Sequence, residues 1–275
     1  MWTFNSVWGK VFEFLFYPFR SLSPWVGMIL ISFLTGIFML IVFRYTSNQE
    51  GIKQVKNKIK AHLLEIRLFK DNFVLSLKAQ GNILRYNLKY ISYSFKPMLI
   101  MIIPLILILS QLNLWFGYQS LEPGEQAILK VKLKNEYNPL NLKIKVESSP
   151  GFLITSPPLR IEEEREVNWR LQAKKKGLYN LVLKINSHEY IKRVDISQNS
   201  LSKISPIKVN KNFLAELLYP GEKPLPSDSP LKSIEITYDS KNMNLFGWHI
   251  HWLIVYFVLS IIFGFGLKGF LKVEI

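Results

Sequence analysis

Two stretches without a charged side chain limit what this chain can fold into. The first lies between Arg20 and Arg44 and reads SLSPWVGMILISFLTGIFMLIVF. The second lies between Lys96 and Glu122 and reads PMLIMIIPLILILSQLNLWFGYQSL. A hydrocarbon core about 30 Å thick takes roughly 20 consecutive apolar residues in a helix, so both stretches have spanning length. They are assigned to residues 21–44 and 97–118. Pro97 suits a helix start, where its missing N–H has no partner to lose. Pro104 lies deeper and is expected to kink or loosen the helix.

The segment between them, residues 45–96, carries helical periodicity. Ile52, Val55, Ile59, Leu63, Ile66, Phe69 and Phe73 recur at steps of three and four, which puts one stripe on a helix. Ser47 or Asn48 can cap its start, with Glu50 in the first turn. Asp71 and Asn72 mark a turn, with Asp71 as the cap of a returning helix. That helix is expected to show Phe73, Leu77, Leu84, Leu88, Ile91 and Phe95 on its packed face. Neither helix can bury a stripe alone, so the pattern predicts an antiparallel hairpin.

Charge assigns the side. From Arg44 to Lys96 there are eleven Lys or Arg against Glu50, Glu65 and Asp71. Short basic loops stay cytoplasmic. Lys53, Lys56, Lys58, Lys60, Arg67 and Lys70 are the candidate contacts of the hairpin. They can form a solvated face, meet anionic headgroups, or meet ribosomal RNA.

These residues resemble a known arrangement. An aromatic segment ends in FEFLFYPFRSLSPWVG. A span with TG at its centre follows, then a polar YTSNQ exit, a basic hairpin with NKIK and a proline-led span. The order is similar to that of the YidC/Oxa-type membrane protein insertases, most of all their reduced three-span members. The resemblance covers roughly residues 4–118 and the last apolar stretch. It implies an insertase or membrane chaperone, with a polar groove open to the cytoplasm along which a nascent membrane segment slides. Bacterial members of that family carry an arginine in the first core span. The matching position here is Thr35, and no span has a charged residue or histidine at its middle. A groove would then be lined by Ser32, Thr35, Ser110, Gln111 and Asn113. Each of these can instead bond to a neighbouring helix or to its own helix's carbonyls, and Thr35 with Gly36 can be a small-residue helix contact. The implied partners are the bilayer, nascent or client membrane proteins, the ribosome and a larger membrane complex. The expected location is a bacterial inner membrane, with the N-terminus outside and the C-terminus cytoplasmic.

Residues 1–20 are dense in aromatics, from Trp2 to Phe19, and read as a helix lying in the outer interface. Beyond Tyr118 the period changes to two. Leu129, Val131 and Leu133 point one way and Ile128, Lys130, Lys132 and Lys134 the other. Further short strands continue to about Ser197, separated by Gly, Pro and Asn turns, so residues 119–198 are assigned to an extracytoplasmic β-sandwich. KKKGLYNLVLKI is similar to the late strands of immunoglobulin-like domains, and Trp169 and Tyr179 are expected in the core. Residues 199–247, rich in proline, read as a linker. Within it FLAELLY forms a short helix on the membrane, and SIEITY a strand at the sandwich edge. Residues 248–268 read as a third span with a Trp/His belt, and 269–275 as a cytoplasmic tail. On a helix His249 and His251 lie about 200° apart, at roughly 100° per residue, which disfavours a shared metal.

The expected fold class is thus a membrane α-helical protein with three transmembrane helices and a cytoplasmic helical hairpin, plus an extracytoplasmic all-β domain. No P-loop, GxSxG, HExxH or dinucleotide fingerprint is present, and the four histidines lie on different segments. The reading is of a non-enzyme that needs no cofactor or metal. The absence of cysteine excludes disulfides. The alternative is a membrane-anchored scaffold subunit that binds an extracytoplasmic partner through its β-domain. Ion conduction is a third.

Overall fold

The computed structural model describes residues 2–197, 201–245 and 247–274. The expected end of the β-domain at Gln198 and the start of the linker at Asn199 fall outside them. The chain forms two compact units, Met1–Gly27 with Leu107–Trp252, and Met28–Ile106 with Leu253–Ile275. Two helices, α2 (Pro24–Thr46) and α4 (Phe73–Phe116), are long and apolar enough to cross a membrane. A separate β-sheet region follows them.

In the second unit, α2 ends at Thr46 and α3 (Gln49–Leu68) begins beyond Asn48, whose side chain accepts from the Gly51 N–H at 2.8 Å. The next helix is capped by Asn72, which accepts from Leu75 N–H at 3.1 Å, and not by Asp71 as expected. That helix, α4, is 44 residues long and runs through Pro97 and Pro104 without interruption. Pro97 is therefore an interior residue, not a start. At 1.5 Å per residue α4 is about 66 Å long, roughly twice a hydrocarbon core.

α3 lies beside the first half of α4. Gly51 sits against the Tyr93 ring, and His62 stacks on Tyr86 with ring centroids 5.6 Å apart. The α4 face turned to α3 carries Ala79, Tyr86, Tyr90 and Tyr93. The stripe expected there, Phe73, Leu77, Leu84, Leu88, Ile91 and Phe95, is exposed. Both sets repeat at steps of three and four, so periodicity alone does not choose between them. The small Ala79 and the flat tyrosine rings allow the closer approach. A core of Leu40, Phe43, Ile52 and Val273 closes the base of α2, α3 and the chain end.

In the first unit, α1 (Trp2–Phe16) buries Asn5, Gly9, Phe12 and Phe16 on one face. Its other face leaves Phe4, Val7, Val11 and Phe14 exposed. The β region has two antiparallel sheets around one core. In the larger sheet, β1 (Gln126–Leu133) lies between β5 (Glu166–Ala173) and β9 (Leu231–Ile236). β3 (Phe152–Ile154) and β4 (Leu159–Ile161) pair with β5, and β8 (Ile207–Val209) pairs with β9. The smaller sheet runs β2 (Ile144–Val146), β6 (Gly177–Ile185), β7 (His188–Ile196). Leu129, Val131 and Leu133 are buried with Trp169, Leu183, Val194 and Ile234, as the alternation in β1 requires. Tyr179 packs against this core from its margin.

The proline-rich stretch after residue 200 is part of this fold rather than a linker. β9 is an interior strand, not an edge addition, because β8 covers its far side. The stretch is held by a buried ion pair. Lys192 of β7 is 0% exposed and meets Glu222, whose side chain is 6% exposed. The Lys192 ammonium also donates to the Ser205 carbonyl, and the Arg193 N–H donates to Glu222 Oε2 at 3.1 Å. Burial pushes the Lys192 ammonium below its ordinary value, and Glu222 pulls it back up. The short helix α5 (Phe213–Leu218) touches α1, with Asn5 Nδ2 donating to the Glu216 carbonyl at 2.7 Å.

The last apolar segment begins later than expected. Residues 248–251 form β11 (Trp248–His251), paired with β10 (Asn242–Leu245), and helix α6 runs only over Trp252–Leu267. The positive φ of 90° at Gly247 makes the intervening turn one that favours glycine.

Candidate functional site: a hydroxyl-bearing cavity among apolar helices

The second unit contains a cavity of about 370 Å³ with walls from α2, α4 and α6. Its lining is almost wholly apolar and includes Met39, Phe43, Met98, Met101 and Ile261. Three hydroxyls interrupt it: Thr35 on α2, and Tyr256 and Ser260 on α6. Tyr256 and Ser260 are one helical turn apart and share a face. The Tyr256 hydroxyl is turned toward both of the others. None of the three buried oxygens has a well-formed hydrogen bond among the described residues. Buried hydroxyls are normally satisfied, and a small shift of Tyr256 would let the three bond to one another.

Gly36 explains how α6 comes this close. A Cβ at Gly36 would sit 3.3 Å from the Phe263 Cβ and the Ser260 carbonyl oxygen, and 3.4 Å from the Gly264 nitrogen. The two helices therefore cross at backbone contact there. Phe33 and Phe263 meet edge to face beside the crossing, centroids 5.4 Å apart. Contacts at the other end run in the same order. Arg44 Nη1 donates to the Leu271 carbonyl at 3.0 Å, the Glu274 N–H donates to Gln49 Oε1 at 2.7 Å, and Lys56 pairs with Glu274 at 3.1 Å. α2 and α6 thus run parallel, and the segment after α6 is tied to the start of α3. Lys56 holds the Glu274 carboxyl below its usual range.

Of the residues expected to line a groove, Thr35 alone is on this cavity wall. Ser32 is buried with its hydroxyl unpartnered, but it lies off the wall. Ser110 donates to the Leu107 carbonyl of its own helix at 3.0 Å. Ser110, Gln111 and Asn113 belong to the first unit. There Gln111 is fully buried beside Gly9, with neither amide atom partnered among the described residues. Asn113 is half-buried, its side chain folded back toward Gly117. Gln111→Leu is expected to stabilise the first unit by about 1–3 kcal/mol, the cost of an unmet buried polar group, and thermal unfolding of the purified chain measures it.

Sequence reasoning missed Tyr256 and Ser260. The available signal was a Tyr and a Ser four residues apart inside an otherwise apolar run. Among the basic candidates, Lys53, Lys58, Lys60, Arg67 and Lys70 are exposed on α3 and the following turn. Lys56 is half-buried on Glu274. The histidines need a correction. His249 and His251 are on strand β11, where alternate residues share a face, so they project together and not 200° apart. Asn244 and Asn242 face them across the ladder. Among the described residues no group of three or more His, Asp or Glu is placed to hold a metal ion.

Compared with known proteins, the chain matches no family model, no curated protein and no solved structure.

Proposed function

We propose that this chain is an integral membrane protein that assists the insertion or folding of other membrane proteins. α2, the second half of α4, and α6 are its three spans. α6 is 16 residues, about 24 Å, which is short for a span; the turns after it extend the crossing. α3 and the first half of α4 form a basic cytoplasmic hairpin, because its exposed lysines and arginines follow the first span directly. The strands between α4 and α6 are read as extracytoplasmic, since α4 leads away from the basic hairpin.

The observation that carries this reading is the cavity of about 370 Å³ that joins three apolar helices and has the hydroxyl residues Thr35, Tyr256 and Ser260 together in its wall. An incoming apolar helix finds flexible methionine side chains that adapt to its surface. The polar groups flanking that helix find Thr35, Tyr256 and Ser260 instead of bare hydrocarbon, where an unmet polar group costs several kcal/mol.

Photocrosslinking tests it. A photoreactive residue is placed at Thr35 or Met101, with Ser32 as the buried position off the wall. Ribosome-bound membrane chains of increasing length are then presented to the reconstituted protein. Crosslinks from Thr35 and Met101 that appear and vanish with chain length are expected. Crosslinks only to resident proteins, or none, would remove the proposal.

A further inference from the structure

The first unit holds a second cavity, of about 490 Å³, whose walls come from α1, the turn after it, and strands β6 and β7. Its charged groups are Glu13, Arg20, Arg193, Asp195 and Lys203. Lys203 and Glu13 satisfy one another at 2.7 Å. Arg20 and Arg193 also pull on the Glu13 carboxyl, so the lining carries three cationic side chains against the carboxyls of Glu13 and Asp195. Arg193 and Asp195 are two apart on β7 and so project from the same face of the strand. Arg20 lies over the rings of Tyr17 and Trp115, 5.4 and 5.8 Å from their centroids, which orients its planar head. Asp195 Oδ1 is buried without a partner among the described residues. Burial also pushes the Asp195 carboxyl above its usual range, against the pull of the Ser197 hydroxyl.

An unmet buried carboxylate oxygen calls for a donor, and a pair of guanidiniums calls for a phosphate or carboxylate. One ligand that carries both groups would satisfy both. The location narrows the choice. Arg20 lies four residues before Pro24, where α2 opens, and it follows the aromatic helix α1. In a membrane-spanning chain that is headgroup level.

We infer that this cavity binds a phospholipid headgroup bearing a primary ammonium, with its phosphate on Arg20 and Arg193 and its ammonium on Asp195. The inference rests on the membrane reading of α2, not on the insertion activity. Headgroup binding ties the first unit to one leaflet. It also selects for an amine with N–H donors, which a trimethylated amine lacks.

The test uses the full chain in detergent, with thermal unfolding followed by tryptophan fluorescence. The probes are dihexanoyl phosphatidylethanolamine, the matching phosphatidylcholine and inorganic phosphate. Phosphatidylethanolamine is expected to raise the unfolding midpoint at about tenfold lower concentration than phosphatidylcholine, the factor one charge-assisted hydrogen bond supplies. Asp195→Asn should erase that preference. Arg20→Gln, at an exposed position, should weaken binding of both lipids. No shift with phosphatidylethanolamine, or an equal shift with phosphatidylcholine in the unaltered chain, overturns the proposal. So does an equal shift from inorganic phosphate, which would make it a soluble-anion site. Failure of the membrane reading would look different, because the native protein would then leave membranes in alkaline carbonate.

Discussion

Replacing Glu222 with alanine is expected to cost the first unit about 3–5 kcal/mol, the cost of stranding one member of a buried ion pair. Lys192 would keep an ammonium at 0% exposure with only carbonyl acceptors left. The Arg193 N–H would lose its acceptor as well. The two groups lie on β7 and on the proline-rich stretch that leads to β9, so the loss should loosen that stretch first. Chemical unfolding of the purified chain, read by a variant that keeps Trp169 as its one tryptophan, measures the effect. The double variant Lys192→Met/Glu222→Leu should recover most of it, since apolar groups of similar volume replace buried pairs at little cost. The pH dependence has a definite sign. The Lys192 ammonium is held below 10.5, its value in an unfolded chain. Between the folded and unfolded values the unfolded chain binds more protons, so stability rises with pH across that window. Without Glu222 the folded value drops further and the window widens downward. The penalty of Glu222→Ala should therefore shrink as the pH is raised from neutrality toward 10.

Gly36→Leu is the second large effect. The Cβ alone would be 3.3 Å from the Phe263 Cβ and the Ser260 carbonyl oxygen, so the added side chain crowds α6 at that crossing. Overpacking of this kind costs about 1–3 kcal/mol and forces the helices apart. Here the displaced helix carries Tyr256 and Ser260, so the hydroxyl group would be dispersed along with the packing. Crosslinking from Thr35 to nascent chains should fall far more than the midpoint of unfolding does. Gly264→Ala is the matched control. A Cβ at Gly264 meets nothing within 4 Å, so that change should be neutral or stabilising by up to about 1 kcal/mol through helix propensity.

The difference between these two glycines was invisible in the sequence, where Gly36, Gly264 and Gly266 look alike. The long apolar stretches within α2 and α4 were legible, because length and apolarity are local properties. The strand alternation in β1 was legible for the same reason. The place of β9 was not. Its partner on one side, β1, lies some hundred residues earlier, and nothing in SIEITY says that β8 will cover its other edge. The α4 stripe failed for a subtler reason. Phe73, Leu77, Leu84 and Leu88 are the more apolar set, but the tyrosine face makes the closer contact with α3. Of the three hydroxyls in the cavity wall, Thr35 alone was singled out from the sequence, at the position where the resembling family carries an arginine. Its partners come from α6, beyond the whole β-sheet region, and no periodicity links positions so far apart.

That separation in the chain has a consequence for synthesis. α2, α3 and α4 leave the ribosome before any of the β strands, and α6 emerges only after all of them. At ordinary elongation rates the gap is on the order of ten seconds. Throughout it, the Gly36 and Thr35 face of α2 has no α6 to meet. The segment that ends this wait is apolar, 16 residues long, and arrives from the same ribosome. The packing of α2 and α4 is thus completed only when this chain's own α6 arrives.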